Sequence, residues 1–172
     1  MNSMHKGFMQ TRKGIQVLSG IAISVVLLAL VLSIGGCSTQ TNEPIEATWV
    51  TAWVVGDTVS IPVSEVEDSK IIHFELSASA GDTAFMAYEL GGKMYMRSNV
   101  CPPCRSVGFS LQRDILVCDT CQTTFNAKTG VGIEGACVDY PKASVPYEIT
   151  DGNIVMSEAN LIAAYQDTLQ PR

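Results

Sequence analysis

Apolar and polar residues alternate in short runs through the middle of this 172-residue chain. Successive side chains of a strand point to opposite faces of a sheet, so such runs, separated by breaks rich in Gly and Asp, are typical of an antiparallel sheet. The pattern predicts strands over residues 59–63, 71–76, 83–89 and 93–98. Gly91 and Gly92 predict a hairpin between the last two strands.

The C-terminal segment continues this pattern and then changes its period. "VPYEITDGNIVMS" predicts a strand, a turn at Asp151 and Gly152, and another strand. Ser157 is then a suitable N-cap for a helix whose apolar face contains Leu161, Ile162 and Tyr165. The sequence therefore predicts a mainly β domain, built on a small antiparallel sheet, with a C-terminal helix.

The N-terminal segment has a different composition. Three basic residues precede an uncharged, apolar stretch that ends in "SIGGC" at Cys37. A positive flank followed by about twenty apolar residues is typical of an export signal or a membrane-anchoring helix. "SIGGC" resembles the lipobox of bacterial lipoproteins, which implies lipid attachment at Cys37; the alternative is a retained signal-anchor helix. In both cases we expect the rest of the chain to be tethered to the membrane on its extracytoplasmic side.

The remaining chain is long enough for one domain with its own core. We assign residues 1–37 to the signal or anchor, the polar segment 38–47 to a flexible tether, and residues 48–172 to the domain. All seventeen acidic residues but only eight of the eleven basic ones follow Cys37, which gives this part a net charge of −9. Such a charge argues against a nucleic-acid partner and against adhesion to anionic lipid, so we expect membrane contact through the N-terminus only.

Four cysteines form two C-x2-C pairs. Cys101 and Cys104 are followed, after thirteen intervening residues, by Cys118 and Cys121. Two such loops can present four thiolates to one metal ion or cluster, although zinc sites of this type usually have about 15–20 residues between the pairs. A predicted turn over residues 112–114 and a strand leading into Cys118 would place the two loops side by side. The pattern therefore predicts a metal or cluster site.

Disulfide formation is an alternative use of the same sulfurs, because cysteines outside the cytoplasm are commonly oxidised. Neither pair precedes an evident helix, and Pro102 and Pro103 stiffen the first loop, which argues against a catalytic thiol-disulfide role. Disulfides would also leave Cys137 unpaired if Cys37 carries a lipid. No catalytic triad or phosphate-binding loop is evident, so we do not expect independent catalysis.

Histidine and methionine narrow the choice of metal only in part. His73, the one histidine after Cys37, lies in a strand pattern and is interpreted as a half-buried strand residue. A Rieske centre needs two histidines on one iron, so this domain cannot form one. Met94 and Met96 fit strand packing and leave copper open, and four thiolates accept either zinc or an iron-sulfur cluster.

Several motifs together resemble the membrane iron-sulfur FtrD-like family over residues 55–141. They are a strand before the first C-x2-C, an aromatic residue after Gly108, a second C-x2-C followed by Phe125, and "G-x-C-x-x-x-P" ending in Pro141. Two departures are Gln122 and Ala136, where the family often has glycine. The resemblance implies an iron-sulfur cluster, with [2Fe–2S] favoured and zinc as the alternative, and a part in membrane iron uptake or electron delivery. It also implies a membrane permease or another redox protein as partner.

Residues 118–156 are also similar, more distantly, to the second half of a Rieske domain. This likeness implies a Rieske-like architecture in which Cys104 and Cys121 stand near the positions of the Rieske histidines. Replacing imidazole by thiolate adds negative charge and should lower the reduction potential of a cluster.

Cys137 remains after the two pairs are assigned. It follows a Gly-rich segment that permits close backbone approach. One hypothesis is a small buried thiol. The other is a fifth thiolate beside the site, which replaces a ligand or forms a reversible disulfide when the cluster is lost.

Overall fold

The structure, a computed structural model, describes residues 42–78 and 81–172, which form twelve strands and two helices. The predicted signal or anchor, with Cys37, lies outside the described residues. The strands are β1 Thr48–Trp49, β2 Trp53–Val55, β3 Thr58–Pro62, β4 Ile71–Ala78, β5 Gly81–Leu90, β6 Lys93–Ser98, β7 Phe109–Gln112, β8 Ile115–Cys118, β9 Thr124–Asn126, β10 Gly132–Glu134, β11 Glu148–Thr150 and β12 Asn153–Ser157. The helices are α1 Val63–Ser69 and α2 Glu158–Thr168.

The strands of the described residues form three four-stranded sheets, with orders β1-β4-β5-β6, β10-β9-β8-β7 and β11-β12-β3-β2. Neighbouring strands run antiparallel except β1, which pairs in parallel with β4 through Thr48 and Ile72. The hairpin between β5 and β6 turns at Gly91 and Gly92, as the sequence predicts. The mainly β fold with a C-terminal helix is therefore confirmed.

The β4-β5-β6 part of the first sheet is buried on both faces. On β5, Phe85 and Ala87 pack into one core, which we call the first core, together with residues of β3, β12 and α2. Met86 and Tyr88 point to the opposite face and pack into the second core, with residues of β7, β8 and β9. This alternation follows from the two-residue period of a strand. The second core also contains the cysteines, so the sheet forms the floor of the candidate site.

Helix α2 covers the first core at the end of the chain. The Ser157 hydroxyl accepts a hydrogen bond from the Asn160 backbone N–H at 3.2 Å, as expected for an N-cap. Leu161 is buried, and the Tyr165 ring packs edge to face against Phe85, with 6.5 Å between ring centroids. Ile162 is half-buried, and Ala164 completes the buried stripe.

Several elements differ from the sequence prediction. The segment "VSEVEDS", interpreted as the end of a strand followed by a break, forms helix α1 instead. Val66 is the one buried residue of this helix. The sequence therefore has no second buried apolar residue at helical spacing from which the helix could be recognised. Strands β1, β2, β9 and β10 have two or three residues each, too few for an alternating pattern to be visible.

The segment predicted to be a flexible tether is described from residue 42 onward. Ile45 and Leu111 exchange two backbone hydrogen bonds of 2.8 and 2.9 Å, so this end of the segment pairs with β7. Neither α1 nor α2, the helices found in residues 42–78 and 81–172, is long and apolar enough to cross a membrane.

Candidate metal centre

The first cysteine loop, residues 101–106, is closed by two backbone hydrogen bonds. The Cys101 N–H donates to the Ser106 carbonyl and the Arg105 N–H donates to the Cys101 carbonyl, both at 2.8 Å. Arg105 has a φ of +59°, the left-handed conformation that glycine adopts most easily. The turn therefore brings Cys101 and Cys104 onto one side of a tight loop.

The second loop, residues 118–123, has the same construction. The Cys118 N–H donates to the Thr123 carbonyl and the Gln122 N–H donates to the Cys118 carbonyl, both at 2.9 Å. Gln122 also has a φ of +59°, which gives a physical reason for a glycine preference at this position. Strands β7 and β8 pair Phe109 with Cys118, which sets this loop beside the first.

The two loops bring their four sulfurs together. All four Sγ atoms of the predicted set lie within 4.8 Å of one another. The Sγ atoms of Cys101 and Cys121 are 3.9 Å apart, and those of Cys104 and Cys118 are 3.7 Å apart. Cys101 and Cys118 are buried, whereas Cys104 and Cys121 are half-buried. All five cysteines of the described residues are free thiols.

These separations fit a four-thiolate metal site. A tetrahedral ion with metal–sulfur bonds of about 2.3 Å requires sulfur–sulfur distances of about 3.8 Å. The separations of 3.7 and 3.9 Å between the loops therefore suit a single ion without rearrangement. An iron-sulfur cluster also accepts four thiolates, but it places more than one iron and bridging sulfides among them, so the loops must separate to receive it.

Protonation differs between the two loops. The hydrogen bond from the Cys101 thiol, helped by the Cys121 backbone N–H, lowers the pKa of Cys118 to about 4 against the effect of burial. Burial opposes ionisation of Cys121, but its hydrogen bonding with the hydroxyl of Thr123, at 3.2 Å, and with the Thr123 backbone lowers its pKa overall. The second loop is therefore the one that holds thiolates most readily.

The first loop keeps its protons more strongly. Its hydrogen bond to Cys118, followed by burial, raises the pKa of Cys101. Burial also raises the pKa of Cys104 to about 11. Because thiolates are the ligand form, metal binding must release the protons of these two cysteines.

Cys137 lies next to this group and is also buried. Its Sγ is 3.7 Å from that of Cys121, and its backbone N–H donates to the Thr123 hydroxyl at 3.2 Å. Gly135, with a φ of +117°, permits this approach, because a Cβ there would lie 2.6 Å from the Thr123 hydroxyl oxygen. Cys137 is thus a buried thiol that lies next to the site, and its part as a fifth thiolate or in a reversible disulfide stays a prediction.

Other residues considered from the sequence lie in the cores. His73, interpreted as half-buried, is in fact buried, because β4 is covered on both faces. Its ring packs edge to face against Trp49 with 5.1 Å between centroids, and burial lowers its pKa to about 4. Met94 and Met96 pack into the first core, which supports strand packing as the reason for their alternation.

Sequence analysis missed three groups that act on the cysteines. The Ser106 hydroxyl helps to lower the pKa of Cys118, and Thr123 does the same for Cys121. Each hydroxyl residue stands two positions after the last cysteine of its loop, a repeated spacing that could have identified both. Lys142 is also buried in this region, but nothing in the surrounding sequence "DYPKAS" indicates that it is.

Fold and site together define a Rieske-like β domain that can bind metal through cysteine. The family model "Membrane iron-sulfur containing protein FtrD-like" matches residues 66–167, more than half of the chain. The chain belongs to this family, as the resemblance seen in the sequence implies. A search of curated proteins found no match.

Solved structures are similar at low sequence identity. A chain of the "Complex of reduced oxygenase and oxidized ferredoxin in carbazole 1,9a-dioxygenase" is 16% identical, with a TM-score of 0.50 over 60% of this chain and 95% of that one. The Sphingomonas yanoikuyae B1 ferredoxin is 19% identical, with a TM-score of 0.45 over 56% and 92% of the two chains. The first likeness shows the fold and is consistent with the Rieske-like architecture.

Proposed function

We propose that this protein is an extracytoplasmic, membrane-anchored electron carrier of a membrane iron-uptake or redox system. The observation that carries the proposal is the convergence of four cysteine sulfurs within 4.8 Å. The family supports an iron-sulfur cofactor. Four thiolates suit electron transfer because they can hold an iron-sulfur cluster, and such a cluster takes up and releases single electrons.

Exposure of the sulfurs indicates where electrons would enter and leave. Cys101 and Cys118 face the second core, whereas Cys104 and Cys121 are half-buried at the outer side of the loops. If the outer cysteines correspond to the histidine positions of a Rieske domain, as the distant sequence similarity implies, two cysteines would hold each of two irons, and on this basis we propose a [2Fe–2S] cluster. A membrane permease or another redox protein would approach from the outer side.

The membrane anchor is proposed from the sequence at Cys37. If "SIGGC" is a lipobox, a labelled fatty acid should be incorporated into the wild-type protein and not into Cys37→Ser. An unlabelled wild type, or processing of the variant at an unchanged position, would contradict lipid attachment and favour a retained anchor helix.

A structural zinc site is the second candidate function. The sulfur separations of 3.7 and 3.9 Å favour it, because they match a single tetrahedral ion as the loops stand. In that case the four thiolates would hold the two loops together and the protein would act as a binding module.

One measurement separates the two candidates. The full-length protein, purified in detergent without oxygen, should be coloured, contain iron and acid-labile sulfide, and bleach reversibly with dithionite. A colourless protein with one zinc per chain would contradict electron transfer and support the zinc site. Single Cys→Ser variants of the four ligands serve as controls, since each should lose the metal in either case.

A further inference from the structure

Lys142 is a buried cation without a carboxylate partner. Its relative exposure is 1%, unusual for lysine, which is almost never fully buried unless it is paired. The two ion pairs found among residues 42–78 and 81–172 join Lys70 to Glu89 and Arg172 to Asp167, and neither involves Lys142. The anionic partner of this ammonium must therefore be sought among other groups.

The ammonium lies beside the first cysteine loop. Its Nζ donates a hydrogen bond of 2.7 Å to the carbonyl of Val100, the residue immediately before Cys101. It also lies 4.4 Å from the ring centroid of Phe125 and 5.3 Å from that of Phe109, and both rings pack in the second core with the cysteines. The lysine side chain thus reaches into the wall of the candidate site.

The backbone of Lys142 is held on both sides. Its N–H donates to the Gly130 carbonyl at 2.8 Å, and its carbonyl accepts from the Arg97 guanidinium at 2.8 Å. Arg97 is itself buried, with further hydrogen bonds to the Tyr88 hydroxyl and the Lys128 carbonyl. These contacts fix the position from which the lysine side chain extends.

A carbonyl and two aromatic faces offset only part of the cost of burying an ammonium. Burial lowers the pKa of Lys142, and negative charge on nearby cysteine sulfurs, that of Cys101 first and Cys118 next, opposes this shift. Cys101 and Cys118 pack in the second core with the two rings that contact the ammonium. Four thiolates around a divalent ion or a 2+ cluster core leave about two negative charges in this region. An ammonium here would cancel about half of that charge.

We propose that the Lys142 ammonium is the internal counter-ion of the four-thiolate centre and raises its reduction potential, an inference that rests on the proposed electron transfer. Reduction adds one negative charge to the centre, and a nearby fixed positive charge favours that step. Lys142 is a positioning residue in this scheme, since it acts through charge and does not bind the metal.

The potential of the iron-loaded, full-length protein tests this role. Lys142→Met removes the charge and keeps the length of the side chain, whereas Lys142→Arg keeps the charge. Lys93→Met is the matched control, because the exposed Lys93 also lies 5.3 Å from a ring centroid, that of Tyr95. Iron content and circular dichroism should be measured on each variant.

At a fixed ambient potential, we expect the ratio of reduced to oxidised Lys142→Met to be at least about tenfold below wild type, a shift of about 59 mV for a one-electron couple. Lys142→Arg and Lys93→Met should remain close to wild type. An unchanged midpoint potential in Lys142→Met with full iron content would overturn the proposal.

Zinc affinity separates failure of this inference from failure of the proposed function. If the native protein holds zinc, electron transfer is refuted, but a competition titration should still show zinc binding at least about tenfold weaker in Lys142→Met than in Lys93→Met. Equal affinities would overturn the counter-ion role. If Lys142→Met does not fold, the ¹⁵N resonance of Nζ in zinc-loaded wild type at neutral pH decides: an ammonium supports the role and a neutral amine overturns it.

Discussion

Gly130 is a position at which a single methyl group should disturb the segment that carries Lys142 beside the candidate site. Its φ is +79°, and a Cβ there would lie 2.1 Å from the Lys142 carbonyl oxygen and 2.7 Å from Arg97 Nη1. The carbonyl belongs to the backbone and cannot rotate away. Gly130→Ala must therefore displace the segment that carries Lys142.

The expected cost has two parts. A left-handed conformation costs about 1–2 kcal/mol for alanine relative to glycine. Displacement weakens two hydrogen bonds at Lys142, its N–H to Gly130 and its carbonyl to Arg97, at about 1 kcal/mol each or somewhat more. We expect the free energy of unfolding to fall by about 3–5 kcal/mol, a large part of the total stability of a domain of this size.

Gly152→Ala is the matched control. Gly152 has a φ of +74°, but a Cβ added there would have no other atom within 4 Å, so only the backbone cost of about 1–2 kcal/mol applies. Equilibrium unfolding in urea, followed by circular dichroism on the reduced apoprotein, gives both values. Equal destabilisation by the two substitutions would show that the contact between Gly130 and Lys142 does not constrain the fold.

Three further predictions concern the loops and the cores. Arg105→Gly should raise the free energy of unfolding by about 1 kcal/mol because it relieves the left-handed conformation, whereas Arg105→Ala should give no gain in the same urea titration. Burial lowers the pKa of His73 to about 4, against 6.5 in the unfolded chain, so its contribution to the free energy of unfolding is complete above pH 6.5 and falls by up to about 3 kcal/mol as the pH drops to 4. His73→Gln should remove this fall, and parallel pH profiles of wild type and variant would contradict the role given to His73. Cys137→Ser should keep the visible absorption of an iron-loaded protein but lose it faster in air, and a colourless variant would instead place Cys137 among the ligands.

The strands around the central sheet could be predicted because their residues alternate between two buried faces. Phe85 and Met86 are neighbours in sequence but belong to different cores, because successive side chains of a strand point to opposite faces of the sheet. Helix α1 could not be predicted in this way, since Val66 alone is buried in it. Short strands such as β9 depend on pairing with β8 and leave no pattern of their own.

The candidate site was predictable where its chemistry is local. The spacing within each C-x2-C pair identifies the sulfurs, and the hairpin of β7 and β8 accounts for their meeting. The burial of Lys142 was not predictable, because it depends on backbone contacts to Gly130 and Arg97 that are distant in sequence. A residue held by tertiary hydrogen bonds has no local pattern by which it can be recognised.

The division of the domain into two cores has a consequence for how a cofactor can be inserted. All five cysteines of the described residues belong to or pack against the second core, and the first core contains none of them. Loss of a metal from this site would therefore withdraw cross-links from one half only, and amide hydrogen exchange in β7–β10 should then accelerate while β3 and β12 remain protected. On this expectation the second core would loosen to admit a cofactor while the first core stays packed, with β5 as the boundary between them.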